Sequence, residues 1–330
     1  MMSRTQYLIG IVLSLTILIG AGCNSTNNQT TPLQSASVQT SPAQSVNPTT
    51  NTLSPNPAAS PNTAGTTTPK QSAPAAPKGI ADMNIDHIVI VVEENHSYEQ
   101  IMESPDAPYM HALIQRGALF TDAHGITHPS QGNYIGLFSG STQGIKDDSC
   151  QKPFSADNLA SELLKAKLTF TGYSEDLPKV GYSGCSSKGY ARKHNPWVQF
   201  SNVPEELNRP LTDFPKDFSK LPTVSFVIPN HQNDMHDGTI KEADDWLKKN
   251  MDAYASWAEK NNSLLIVTWD EDDFGKANQI PLIFVGPMVK PGKYDENVNH
   301  YHLLRTIEDL YHLPVLGESQ KVKPITSIWK

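Results

Sequence analysis

Cysteine is scarce in this sequence, with three in 330 residues. No two stand in a Cys-x-x-Cys spacing, which argues against a metal centre built from thiolates. Positive charge is scarce as well: 26 Lys and Arg stand against 34 Asp and Glu, and residues 1–80 hold just Arg4, Lys70 and Lys78 of the first group and none of the second. Residues 81–330 therefore carry a formal charge of −11. Such a surface repels phosphate backbones, so nucleic acid is excluded as a non-specific partner. Residues 24–80 lack aromatic side chains altogether and hold nine prolines among Asn, Ser, Thr, Gln and Ala. That composition cannot bury enough apolar surface to offset its chain entropy, and a disordered tether is expected. No internal repeat is present.

At the N-terminus, Arg4 precedes an apolar run at 8–22. The run is short of the roughly 20 residues that cross a bilayer and reads as a signal h-region. Its end, Gly20-Ala21-Gly22-Cys23, resembles the lipobox of bacterial lipoproteins, with Gly20 where Leu is usual. The expectation is an exported, membrane-anchored lipoprotein of the bacterial cell surface. Residues 1–23 form the signal peptide with Cys23 as the lipidation site, 24–80 the tether, and 81–330 the folded domain. Cys150 and Cys185 are then an even pair in an oxidising compartment, and a disulfide between them is expected.

From residue 81 onward apolar, β-branched stretches at 88–92, 169–171, 224–228, 264–268 and 282–285 alternate with helical patterns at 109–116, 158–167, 240–260 and 302–311. Unbroken hydrophobicity indicates strands buried on both faces, as in a parallel sheet. The reading is one doubly wound α/β domain, a mostly parallel sheet with helices on both faces. Trp246, Tyr254 and Trp257 lie at helical spacing and read as packing residues; Lys241 to Asp245 reads as a solvated helix start.

Ligands in open parallel sheets bind beyond the carboxyl ends of the strands. Three apolar runs are followed by Glu93-Glu94-Asn95-His96, by Asn230-His231-Gln232-Asn233-Asp234-Met235-His236-Asp237, and by Asp270-Glu271-Asp272-Asp273. So many carboxylates on one rim repel one another unless a cation lies among them. Asp, Glu, Asn and His are donors suited to Zn²⁺, Mn²⁺, Mg²⁺ or Ca²⁺. Ser130 stands at the start of a short helical stretch, near unpaired backbone N–H groups. Helix capping is the commonest role of a serine there; a nucleophile is the other.

The ordered set EENHSY (93–98), HPSQGNYIGLFSG (128–140), PNHQNDMHDG (229–238), VTWDEDD (267–273), IPLIFVGPMVKPG (280–292) and NHYHLLRTIEDLY (299–311) resembles the phosphoesterase family of bacterial acid phosphatases and phospholipase C enzymes, within the alkaline phosphatase superfamily. The resemblance implies an alkaline phosphatase-like fold. It also implies that Glu94, Asn95, Asp270 and Glu271 hold a metal, that Ser130 is a nucleophile touching the same ion, and that His236 and His300 lie around the phosphoryl group or bind metal, with His128, ahead of the nucleophile loop, a further candidate. Asp234 is a further metal or substrate residue. One divalent ion is expected, because the set is poor in His compared with two-metal relatives. The implied activity is phosphoric ester hydrolysis, with a small phosphate ester as substrate; a monomer is expected. An acid phosphatase acting on monoesters through a phosphoserine leads. A phosphodiesterase of phospholipase C type is second, since larger phospholipases of the family carry further C-terminal domains and this sequence ends at Lys330 soon after the last motif. A non-catalytic binding lipoprotein is third.

Overall fold

The computed structural model describes residues 79–330. The signal segment with Cys23, and the tether apart from its last two residues, lie outside the described residues. The strands are β1 (His87–Glu93), β2 (Ala118–His124), β3 (Phe170–Ser174), β4 (Ser186–Ser187), β5 (Tyr190–Ala191), β6 (Asn208–Pro210), β7 (Val224–Ile228), β8 (Ser263–Trp269), β9 (Gln279–Val285), β10 (Gly292–Tyr294) and β11 (Val298–Asn299). The α-helices are α1 (Tyr98–Glu103), α2 (Pro108–Arg116), α3 (Gln131–Ser139), α4 (Leu159–Lys165), α5 (Ile240–Ala258) and α6 (His300–Leu310).

One sheet runs β10-β2-β9-β8-β1-β7-β3-β6, with β11 also paired to β2. β1 lies at its centre, parallel to β7 and β8, and β3 continues the parallel run between β7 and β6. The fold is thus α/β with a mostly parallel sheet, as the apolar runs imply. β9 departs from that reading, running antiparallel to both β8 and β2. A strand covered on both faces is apolar whichever way it runs, so composition cannot reveal its direction. β2 was not expected at all: a bulge between Phe120 and Ala123 interrupts its pairing and leaves Thr121 and Asp122 half-buried.

The helices start where the sequence supplies caps. Asn158, Thr239 and Asn299 each accept a first-turn N–H and are answered by the residue three positions on. α5 buries Ala243, Leu247, Met251, Tyr254 and Ala258 along one face. Trp246 and Tyr254 are buried and Trp257 packs on Phe218, so this aromatic group is core, as its spacing suggests. The start of α5 is not solvated throughout. Asp244 is buried, and its two oxygens accept the N–H groups of Tyr109 at 3.0 Å and Met110 at 2.8 Å. α2 has no capping side chain of its own at Ala107, so a carboxylate from another helix satisfies its first-turn donors.

Candidate active site

The carboxyl ends of β1, β7 and β8 are tied by backbone bonds. Asp270 donates its N–H to the Glu93 carbonyl at 3.0 Å and Glu94 to that of Asp234 at 2.9 Å. Asn95 adds its own backbone N–H to Asp270 Oδ1 at 3.1 Å. Residues from three distant parts of the chain thereby share one rim. Glu93 does not join them. Side chains alternate across a strand, and Glu93 is buried near Asp244 and Glu175 with both carboxyl oxygens lacking hydrogen-bond partners.

Ser130 precedes α3 and is buried, and it makes no capping bond. Its Oγ instead lies 3.2 Å from Glu94 Oε2 and 3.2 Å from Glu271 Oε1. Asn133 fixes this arrangement. Its amide nitrogen donates to Glu271 Oε2 at 3.1 Å and to the Thr127 carbonyl at 2.9 Å, while its oxygen accepts the N–H of Ile126 and Thr127. Tyr134, one residue on, donates its hydroxyl to Glu94 Oε1 at 2.5 Å. At the far end of α3, Gly140 is in the left-handed region with φ 68°, and a Cβ there would collide with the Leu316 carbonyl.

The remaining expected residues fall around this centre in different ways. His128 Nδ1 lies 2.9 Å from Glu271 Oε2, and its other nitrogen lies 3.3 Å from Asp272 Oδ1. The buried Asp272 accepts the N–H groups of Phe274, Lys276 and Asn278, which folds the loop that follows β8. His236 sits at the rim, its Nδ1 2.8 Å from Asp237. His300 is buried, and its Nε2 is committed to the Asp270 carbonyl at 2.6 Å. It therefore braces Asp270 from behind through that nitrogen. Asp234 is buried with Oδ1 accepting the His236 N–H and Oδ2 unpartnered.

Two imidazoles join the site that the motif reading did not assign a role. His194 is buried, stacked on Tyr134 with ring centres 5.0 Å apart. Its Nε2 lies 3.1 Å from Glu94 Oε1 and its Nδ1 3.5 Å from Asp234 Oδ2, at angles that leave Nε2 without a hydrogen bond. His231 packs between His194 and His236, 4.8 Å and 4.6 Å away. His231 stands within the 229–238 motif, so its position carried a signal. His194 closes a short 3-10 turn that follows the two-residue β5, which carries no apolar run, and nothing local marks it. Among the described residues, His194, His231 and Asp234 bring donor atoms within 4.8 Å of one another, as do His231, His236 and Asp237.

Burial dominates the electrostatics. Burial, then the Asp234 carboxylate, holds Glu94 well above the usual carboxylate range, and burial followed by Glu94 and Glu271 does the same to Asp270. Burial likewise pushes Asp234 up to about 9 and Glu271 up to about 7. The imidazoles move the other way. Burial and then Lys193 hold His194 well below its ordinary range, and burial and then His236 bring His231 to about 4. Ser130 Oγ has a single proton for two carboxyl neighbours. Asp234 Oδ2, Asp270 Oδ2 and His194 Nε2 are buried without partners. Carboxylates crowded against neutral imidazoles with free lone pairs form a donor set that fits a divalent cation.

A disulfide joins Cys150 to Cys185, as the cysteine count implies. It borders a cavity of about 270 Å³ that begins beside Ser130, at Gln131, and reaches Lys193 and His231. A larger cavity of about 630 Å³ is lined by Glu175, Leu177 and Leu211 and by none of the side chains grouped around Ser130.

Residues 102–314 match the family model described as Phosphoesterase family. A phosphatidylinositol-3-phosphatase of Mycobacterium tuberculosis is 52% identical over 246 residues, covering 74% of this chain and 82% of that protein. A phosphate-repressible acid phosphatase of Penicillium chrysogenum is 31% identical over 263 residues, which covers 73% of this chain and 61% of that one. A solved structure from Vibrio parahaemolyticus, a protein in the alkaline phosphatase superfamily, superposes with a TM-score of 0.49 at 16% identity, covering 73% of this chain and 70% of that one. With well over half of the chain aligned to the family model and half of the residues aligned to a phosphatase identical, this chain belongs to the Phosphoesterase family, enzymes that hydrolyse phosphate esters.

Proposed function

We propose that this chain is a metal-dependent phosphomonoesterase that works through a phosphoserine on Ser130. The observation that carries the reading is the Ser130 hydroxyl held between Glu94 and Glu271 when it could have capped α3. Glu94, Asn95, Ser130, Asp270 and Glu271 would hold one divalent ion, with Asp234 and His194 behind them. When bound, that ion supplies charge neutralisation for the phosphoryl oxygens and lowers the serine's pKa.

The chain's own groups do the rest. Ser130 Oγ, its proton given up to solvent in the loaded site, attacks phosphorus as the bond to the alcohol breaks. His236, at the rim, protonates the departing oxygen. In the second half it takes a proton from water, whose oxygen attacks the phosphoserine. Ser130 leaves as the alkoxide, held between Glu94 and Glu271 for the next ester. His300 and His128 act at one remove, by fixing Asp270 and Glu271.

The mycobacterial relative suggests that the monoester includes lipid-linked phosphates such as phosphatidylinositol 3-phosphate. We also infer export and anchoring through Cys23; the disulfide, which persists in oxidising compartments, supports the first. The test is a panel of p-nitrophenyl phosphate, bis-p-nitrophenyl phosphate and p-nitrophenyl phosphorylcholine, with and without chelator. Acid-quenched protein is then examined by mass spectrometry for phosphate on Ser130. Turnover of the first ester alone, its loss in chelator and in Ser130→Ala, and a trapped phosphoserine are expected. Preference for phosphorylcholine would favour a phospholipase, and full activity in Ser130→Ala would reduce Ser130 to a structural residue.

A further inference from the structure

The segment between α3 and α4 brings a carboxylate to the edge of the site that no motif explains. Asp148 Oδ1 accepts the backbone N–H of Gln131 at 3.0 Å, and its other oxygen accepts from Lys193 Nζ at 2.7 Å. Gln131 immediately follows the Ser130 nucleophile and opens the nine-residue α3. Its N–H is therefore a first-turn donor at the positive end of that helix. A backbone N–H and an ammonium group gripping the two oxygens of one carboxylate is the pattern by which proteins hold an anion. Here the anion is the protein's own, one residue along the chain from where phosphorus must sit.

Lys193 has no other carboxylate partner in ion-pair contact among the described residues. It lies near the Ser130 cluster, close enough for its charge to act on Glu94 and Glu271. Both partners are held by the disulfide strap. Cys150 lies two residues after Asp148, Cys185 eight before Lys193, and the bond joins the two walls. Past the pair, the cavity of about 270 Å³ continues between the strap and His231, with room for the alcohol half of an ester.

We infer that Lys193 and the Gln131 N–H form the cradle for a non-transferred phosphoryl oxygen, and that the Asp148 carboxylate is a built-in competitor which the substrate displaces on binding. This inference rests on the phosphomonoesterase reading. A dianion competes for Lys193 against a single carboxylate charge, so monoesters and inorganic phosphate enter, whereas singly charged diesters face the competitor on less favourable terms. Asp148 is thereby a specificity-determining residue, and it keeps the affinity for the phosphate product low.

The test uses the full chain with saturating divalent metal, in wild-type, Asp148→Asn and Lys193→Met forms. Inorganic phosphate binding is measured by calorimetry and p-nitrophenyl phosphate turnover in parallel. Asp148→Asn should bind phosphate about tenfold more tightly and lower KM in step, and Lys193→Met should weaken both by about tenfold. Opposite signs are the signature, because loss of a merely structural ion pair would move the two variants the same way and lower both melting temperatures. Equal or weaker phosphate binding by Asp148→Asn, in an enzyme whose wild type hydrolyses the ester, would overturn this inference alone. Unchanged phosphate binding by Lys193→Met would do the same should Asp148→Asn not fold. A wild type that neither hydrolyses the ester nor binds phosphate would overturn the phosphatase reading and this inference with it.

Discussion

Stripping divalent cations should make the folded domain lose stability as pH rises, and restoring them should return most of it at high pH and little at low pH. The sign follows from the direction of the shifts. Glu271 and Asp234 are pushed up to about 7 and about 9, burial being the main cause. A carboxyl raised in the folded state stabilises it fully below the unfolded value near 4 and loses that contribution as pH climbs through the folded value. Glu271 alone then accounts for about 3 kcal/mol between pH 4 and pH 8, at about 1.36 kcal/mol per unit of displacement. Asp234 extends the decline toward pH 9. A domain of this size shifts by roughly 2–4 °C per kcal/mol, so Glu271 alone should lower the melting temperature of the chelated protein by about 5–11 °C between pH 5 and pH 8, and Asp234 adds its own loss over the same range. A cation present at about a thousand times its Kd returns about 4 kcal/mol, and protons compete with it for the same oxygens. Calorimetric unfolding of chelated protein, repeated with Zn²⁺, Mn²⁺, Mg²⁺ or Ca²⁺ at pH 5, 6.5 and 8, measures this. A gain as large at pH 5 as at pH 8, or a chelated melting temperature flat across the range, would refute the assignment of the cluster as the cation site.

Two further predictions concern buried carboxyls outside the site. Asp244→Ala leaves the N–H groups of Tyr109 and Met110 unsatisfied in a buried helix start and should cost about 2–3 kcal/mol, read as a fall in urea midpoint, with Asp244→Asn losing less. A midpoint unchanged in the alanine variant would mean that α2 draws its cap from elsewhere. Glu308 is buried, accepts from Leu316 N–H and Ser319 Oγ, and is pushed up to about 7, chiefly by burial. Its neutral form stabilises the fold below its ordinary value, and that contribution disappears as pH rises through 7. Glu308→Gln should therefore gain on the wild type by about 2 to 3 kcal/mol between pH 5 and pH 8, and a constant difference across that range would show that Glu308 does not titrate there.

What the sequence discloses and what it hides divide along a physical line. β1, β7 and β8 are read correctly because strands covered on both faces must be apolar throughout, and the polar residues that follow them stand at the rim for the same reason. Whether each of those residues faces the centre is a different question. Glu93 and Glu94 are adjacent and both acidic, yet strand alternation sends one toward Asp244 and the other to Ser130. His300 stands in a motif that points at the site, yet its Nε2 serves the backbone of Asp270. Motif membership selects the neighbourhood of a side chain, and tertiary hydrogen bonding selects its role.

The residues with no sequence signal at all arrive by the opposite route. His194, Lys193 and Asp148 lie in segments of 3-10 turn and loop, where no periodicity exists to be read. A covalent link between Cys150 and Cys185 ties those segments together beside Ser130. The strap therefore answers a problem that the sheet creates. Parallel strands deliver acids and imidazoles to one rim, but they deliver little positive charge, in a domain whose formal charge is −11. A phosphate dianion approaching such a rim needs a cation fixed close to the serine, and a loop can fix one only if its own conformational freedom is restricted. On the reading proposed above, Lys193, paired with Asp148 on the strap, meets that need, and this would account for a disulfide that stands beside Ser130 and not at the periphery of the fold.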